Sequence, residues 1–297
     1  MAQSYNVQAL PKYVDQMRPD LIAKAVMGAK SADLFTLITG VKGPTALNLI
    51  SSEIEFGDGS VCGWNEAGST SLSQATLTPK ALKVNMAICD KVLLNKWASY
   101  LVKVQANKLD RDLPFEEYFL ADVIDNVKAK IEEMIYQGTG TGNEFAGLIS
   151  ILEAGSPVEV STTGTAYQFV KDVAKAMPAE ILGKRDLVIL VGMDTYNEYI
   201  QDLVSANLFH YNPGNGENEY MLPGTTIRVI GVNGLNGTNK AIGGSLSNMF
   251  YGINMEDGEE VFDLWFSKDN REFRLAIEFV AGVQVAFDNE IVLGSKN

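Results

Sequence analysis

Histidine occurs once in this chain, at His210, and cysteine twice, at Cys62 and Cys89. A lone histidine rules out a histidine-rich metal centre and leaves a charge-relay triad without an evident partner. Two cysteines are too few for a disulfide framework, so both are expected as free thiols in a reducing compartment. Clustered Lys and Arg are also missing. With 24 basic against 37 acidic residues the chain carries a net charge of −13, whereas gripping nucleic acid requires basic clusters that displace counterions. No run of about 18 apolar residues occurs, as a spanning helix would need. The opening Met1-Ala2-Gln3-Ser4 lacks the basic-then-apolar pattern of a signal peptide. The expected product is soluble and made in a cytoplasm, with no membrane partner.

Reactive constellations are equally scarce. There is no Gly-x-Ser-x-Gly elbow, and no two carboxylates stand out as an acid/base couple in an apolar setting. Gly138, Gly140 and Gly142 follow a long helical pattern rather than a strand, and no Gly-Lys-Ser/Thr comes after them, so a nucleotide loop is not expected. Met255 to Glu260 reads as an acidic turn without the ligand spacing of an EF-hand. Asn236-Gly237-Thr238 is a formal glycosylation sequon, irrelevant to a cytoplasmic product. No catalytic, cofactor-binding or metal-binding residue is assigned, and no cofactor is expected.

What the chain does have is apolar content and architecture. Its 297 residues, 46% of them hydrophobic, can bury the core of one large domain or two ordinary ones. Phe115, Phe119, Val123, Val127 and Ile131 recur every fourth residue, widened by Leu120, Ile124, Met134 and Ile135. That stripe predicts a helix buried along one face. Asp112 and Pro114 supply its start and Gly138 its stop. The rod is about 23 residues, roughly 35 Å long. It runs into a glycine-hinged turn (Gly138, Gly140, Gly142) and a new apolar segment from Phe145.

Ahead of the rod, residues 1 to 18 are polar, punctuated by Pro11 and Pro19, and predict an extended arm. Leu21 to Phe35 has helical spacing broken at Gly28. Ile54 and Phe56 alternate with glutamates, and Leu82, Val84, Met86 and Ile88 alternate further on, across a polar stretch from Gly57 to Gln74. This predicts a hairpin of roughly 40 residues. A two-stranded hairpin alone is marginal in water, so Phe56 and Trp64 need cover from the same chain or from another copy.

Beyond the rod, helices are expected over Thr165 to Met177 and after Asp194, with a buried strand over Leu187 to Val191. Further strands are expected at Thr226–Val232, Asn248–Ile253, Glu260–Leu264, Phe273–Phe279 and Val283–Phe287. Asn207 to Leu222 is a polar loop long enough to suggest a binding role or disorder. Helix and strand mix without regular βαβ alternation, which argues α+β.

The order of these parts resembles the major capsid proteins of tailed bacteriophages, the Hong Kong 97 fold. Met134-Ile135-Tyr136-Gln137-Gly138-Thr139-Gly140-Thr141-Gly142, followed by Ala146-Gly147-Leu148, is similar to that family's exit from its spine helix. Trp64-Asn65-Glu66-Ala67-Gly68 with Leu77 to Val84 resembles its extended hairpin, the E-loop, and the returning strand. Leu187 to Leu203 and Leu222-Pro223-Gly224-Thr225-Thr226-Ile227 resemble its A-domain. The likeness implies an N-terminal arm over 1–50, an E-loop over 51–90, a P-domain over 91–150 with the spine helix at 115–137, an A-domain over 151–255, and P-domain return strands over 256–297.

It also implies self-association into hexamers and pentamers, with scaffolding, portal and decoration proteins as further partners and packaged DNA held without specific binding. The place implied is a virion capsid assembled in the host bacterial cytoplasm. Contacts between subunits are expected at Phe56, Trp64, Leu72, Lys80 and Lys83 of the E-loop and at His210, Asn212 and Asn215 of the A-domain loop. Some relatives crosslink a hairpin lysine to a P-domain asparagine, and Lys80, Lys83 and Asn289 are of suitable type. Two rivals stand beside this reading: an encapsulin-type compartment shell, and an acidic soluble enzyme with an unrecognised site.

Overall fold

The computed structural model describes residues 9–53, 69–89, 91, 92, 95, 98, 99, 102, 115–208, 218–254 and 261–297. Within them lie two mixed sheets, a separate two-stranded ribbon and a long helix (α3, Phe115–Gln137) beside the first sheet. From Leu120 onward the α3 stripe follows the predicted spacing, the side chains of Phe115 and Phe119 lying outside the described ones. Leu120, Val123, Ile124, Val127, Ile131 and Ile135 are buried, while Asp125, Lys130 and Glu133 face water. None of the described helices is long and apolar enough to cross a membrane.

Over residues 9–18 the chain departs from the expected irregular arm, residues 1–8 lying outside the described ones. Residues Ala9–Met27 form a helix, α1, which contains both prolines. Pro11 falls in the first turn, where a missing N–H costs nothing. Pro19 does remove a rung, and tertiary packing outweighs it: Val14, Leu21, Ile22, Ala25 and Val26 all join the core. The break at Gly28 occurs as read. A Cβ there would meet the Lys24 carbonyl oxygen at 2.3 Å, and a short helix, α2 (Lys30–Leu34), follows.

The first sheet is organised by β12 (Glu272–Val285), a single 14-residue strand where two separate runs were expected. On one edge it pairs antiparallel with β10 (Met249–Ile253) and then β11 (Val261–Ser267). β1 (Thr36–Ile38) adds to β10 in parallel. On the other edge β12 pairs with β4 (Lys80–Cys89) over ten residues, from Lys80↔Ala281 to Cys89↔Glu272. The second sheet has the order β5 (Val158–Thr162), β13 (Val292–Lys296), β9 (Lys240–Ser245), β6 (Leu187–Gly192), β8 (Arg228–Val232), β7 (Glu219–Met221). Its centre is β6, buried at all six positions, as an unbroken apolar run predicts. Helices α5 (Ala166–Ala176) and α6 (Met193–Ser205) pack on it through Phe169, Val170, Val173, Tyr199 and Leu203.

Two expectations about the strands are corrected. The hairpin is made by β2 (Thr45–Glu53) and β3 (Ser69–Leu77), in register from Thr45↔Leu77 to Glu53↔Ser69. The alternating run at 82–88 is a strand, but it belongs to the first sheet. The strand is interrupted between β3 and β4 at Thr78-Pro79, and a proline without an N–H cannot continue a ladder. Likewise β13, expected among the P-domain return strands, lies inside the second sheet between β5 and β9. Period-two patterning identifies a strand and its faces; it carries no information about the neighbour.

Candidate assembly interface

The β2–β3 ribbon forms its own two-stranded sheet, and no third strand joins it among the described residues. Its root is clamped to the first sheet. Leu77 is fully buried, the Gln284 side-chain amide donates to the Thr76 carbonyl (2.8 Å), and Pro79 crosses β12 at Gly282. A Cβ on Gly282 would stand 2.9 Å from Pro79 Cα, and one on Gly252 would stand 2.9 Å from both Leu77 methyls. Both glycines are in strand interiors, a signal of close backbone approach that the sequence reading passed over. So the ribbon has a fixed base and, among the described residues, no strand paired along its outer edges.

Of the expected contact residues, Phe56, Trp64, His210, Asn212 and Asn215 lie outside the described residues, as does the Leu72 side chain. Lys80 and Lys83 are on β4 rather than on the ribbon, and each is engaged within its own chain. Lys80 Nζ donates to the Glu144 carbonyl (3.2 Å), and Lys83 pairs with Glu278 directly opposite it on β12 (2.6 Å). Asn289 stands in the 288–290 turn leading into β13, and its backbone N–H donates to Asp288 Oδ1.

The glycines after α3 form a closed turn. The Gly138 N–H returns to Met134, the Gly147 N–H donates to the Gly138 carbonyl (2.8 Å), and the Gly140 N–H donates to the Phe145 carbonyl (3.3 Å). Ser150 Oγ adds a second bond to the Gly138 carbonyl (2.7 Å). Gly140 and Gly142 have positive φ, 71° and 59°. The Glu144 carboxylate closes the loop on the Thr139 N–H and hydroxyl. This turn directs the chain from the end of α3 into α4 (Leu148–Ala154) and the second sheet.

The helix expected after Asp194 begins before it: Asp194 lies in the first turn of α6, where it accepts from the Thr195 and Gly237 N–H groups. Asp186, just before β6, holds the turn after β9: its carboxylate accepts from the Ser245 hydroxyl and the Ser247 N–H. Burial alone would raise its pKa, but these bonds overcome that and hold it at about 2. A depressed carboxylate stabilises the fold above the unfolded value near 4 and loses that contribution as pH falls toward 2. Asp186→Ala is therefore expected to cost about 1 to 2 kcal/mol at pH 7. Denaturant titration should show that difference vanishing near pH 2.

Several open cavities mark the described surface, two of them lined largely by apolar side chains. One of about 350 Å³ runs between β4 and α3, lined by Leu82, Val84, Met86, Val123, Val127 and Met134. Another of about 520 Å³ lies between α5 and the 222–227 turn, with Tyr167, Lys171, Lys175 and Leu182 at its walls. Neither assembles a nucleophile with a base. No group of three His, Cys, Asp or Glu side chains is placed to hold a metal among the described residues.

No protein-family model matches this sequence, and no curated protein matches it. Solved structures do. The satellite phage P4 procapsid, a structure that includes the size determination (Sid) protein, superposes at a TM-score of 0.60, covering 100% of this chain and 92% of its own at 10% identity. The chain has the capsid fold of tailed phages. Microbacterium phage Oxtober96 matches at 0.56, covering 91% of each chain at 12% identity. A virus-like particle from Pyrococcus furiosus matches at 0.53, covering 96% of this chain and 100% of its own at 9% identity.

Proposed function

We propose that this chain is the major capsid protein of a tailed phage, a structural subunit that self-assembles into the icosahedral shell around a double-stranded DNA genome. The observation that carries this reading is the E-loop: a nine-on-nine ribbon with a clamped root and no third strand among the described residues. A ribbon of that kind is marginal in water, and an unpaired strand edge is a hazard that assembly removes by covering it. The cover is another copy of the same chain. Each contact is modest, and closed symmetry multiplies it.

Hexamers and pentamers are the units of that symmetry, and contacts at their centres are expected from the polar segment Asn207–Leu222, at His210, Asn212 and Asn215. Scaffolding, portal and decoration proteins complete the partners. The virion capsid is the site of action, after assembly in the host bacterial cytoplasm. Nothing in this role calls for catalysis.

Negative-stain microscopy of the purified protein tests the reading. Closed isometric particles are expected; a population of single subunits at every concentration would refute it. The net charge of −13 adds a second expectation, because a wall that gripped DNA would hinder packing and release. Free subunits should show weak DNA binding with little salt dependence, and nanomolar binding in a filter assay would contradict that. The likeness to the Pyrococcus furiosus virus-like particle keeps one alternative in play, a bacterial compartment shell of encapsulin type. Particles from a phage-infected host that hold nuclease-protected DNA favour the virus; particles loaded with a protein cargo favour the compartment.

A further inference from the structure

Ser31, Glu132 and Tyr136 form a polar island in the core, and all three are almost completely shielded from water. The Ser31 N–H donates to Glu132 Oε2 (3.0 Å) and the Ser31 hydroxyl to Oε1 (2.6 Å). The Tyr136 hydroxyl completes the chain at 2.6 Å from Ser31 Oγ. With Ser31 already donating to the carboxylate, Tyr136 is the donor of that bond. Ser31 belongs to α2, while Glu132 and Tyr136 belong to the spine helix. One carboxylate on α3 thus captures both donors of a single residue in the N-terminal segment. Nearby, the Lys30 ammonium donates to the Gly231 carbonyl (3.3 Å), and the Tyr251 hydroxyl to the Val26 carbonyl (3.2 Å).

We propose that the Ser31–Glu132–Tyr136 cluster is a proton-sensitive clasp that docks the N-terminal helices α1 and α2 on the spine helix, tightening as pH falls. The inference concerns the subunit itself and holds whether or not it assembles. A buried carboxylate is costly when charged and tolerable when neutral. A protonated Glu132 still accepts the Ser31 N–H and can donate to Ser31 Oγ, so the clasp survives proton uptake without the charge.

The electrostatic surroundings agree. Burial raises the Glu132 pKa above its ordinary 4.5, and the Ser31 bonds and the Lys30 charge offset only part of that. Tyr136 on the same helix and Tyr251 on β10 both face the carboxylate, and burial pushes both phenols up, so they stay neutral. The 233–235 turn packed on α3 carries no ionisable side chain, and Asp20 and Lys24 of α1 are exposed. For a carboxylate raised in the docked state, the stabilisation is full below the ordinary value. It is lost as pH rises through the raised value.

Hydrogen exchange on the full-length subunit tests this, read on peptides covering residues 9–34 with β6 peptides as internal reference. Comparison with Glu132→Gln, a neutral isostere, at each pH cancels intrinsic exchange and the titration of every other group. At the acid end the two proteins should show equal protection over 9–34. As pH rises, the wild type should lose protection relative to the variant, by up to about tenfold per pH unit within the window, and then level off. Tyr136→Phe weakens the donor chain to the charged form and should move that window to higher pH, as should Ser31→Ala. A wild-type to Glu132→Gln ratio that stays flat with pH overturns the proposal. So does a window that neither Tyr136→Phe nor Ser31→Ala displaces, which also decides the matter should Glu132→Gln fail to fold.

Discussion

Replacing Ile50–Leu72 with an Asn-Gly turn is expected to yield a subunit that folds and does not assemble. The register makes the graft geometrically clean, since Leu49 faces Ser73 across the ribbon and a two-residue type I′ turn suits such a pair. Everything that anchors the ribbon is kept: buried Leu77, the Gln284–Thr76 bond and the Pro79 crossing at Gly282. Far-UV circular dichroism and the melting temperature should therefore stay close to wild type. Assembly should not. Losing even about 3 kcal/mol at each contact lowers each association step by roughly a hundredfold, and a closed shell requires all of its contacts together. Sedimentation should move from particles to single subunits. Intact particles from the shortened chain would remove the E-loop from the assembly mechanism.

The second large effect lies within the subunit. Gly138→Val should destabilise it by about 4 kcal/mol, the range reached when a core position is overfilled against backbone. A Cβ at Gly138 would sit 2.2 Å from the Phe145 carbonyl oxygen and 2.7 Å from that of Met134. Neither can yield without breaking the turn that links α3 to α4 and the second sheet. For a chain of this size that loss lowers the melting temperature by on the order of 10 °C. Gly142→Ala is the control. Nothing stands within 4 Å of its Cβ, so it pays only for a left-handed φ of 59°, about 1 to 2 kcal/mol. Equal losses at the two sites would mean that backbone conformation, rather than close approach, makes this turn glycine-rich.

Legibility in the sequence followed the range of the signal. The spine helix, its stop at Gly138, the fully buried β6 and helices α5 and α6 are written in local periodicity, and the structure has them where the pattern places them. Elements decided by distant partners were not legible. The alternation of β4 is plain in the sequence, yet its ten-residue pairing with β12 rather than with the hairpin is decided by the first sheet. Helix α1 runs through Pro11 and Pro19 because its apolar face is buried, a tertiary gain that local propensity does not contain. The C-terminal strand β13 was expected only through the family resemblance, and its place between β5 and β9 comes from the whole sheet. For the interface, sequence pointed to the hairpin and to Lys80 and Lys83. The lysines turn out to bond within their own chain, and the glycines at 252 and 282 are what seat the hairpin.

Hydrogen exchange over residues 45–77, compared between dissociated subunits and assembled particles, tests the central claim most directly. If the E-loop ribbon finds its cover on a second copy, those amides exchange rapidly in free subunits and become protected on assembly, while α3 and β6 change little. Amides 45–77 already protected in the free subunit, with no further gain in particles, would contradict it.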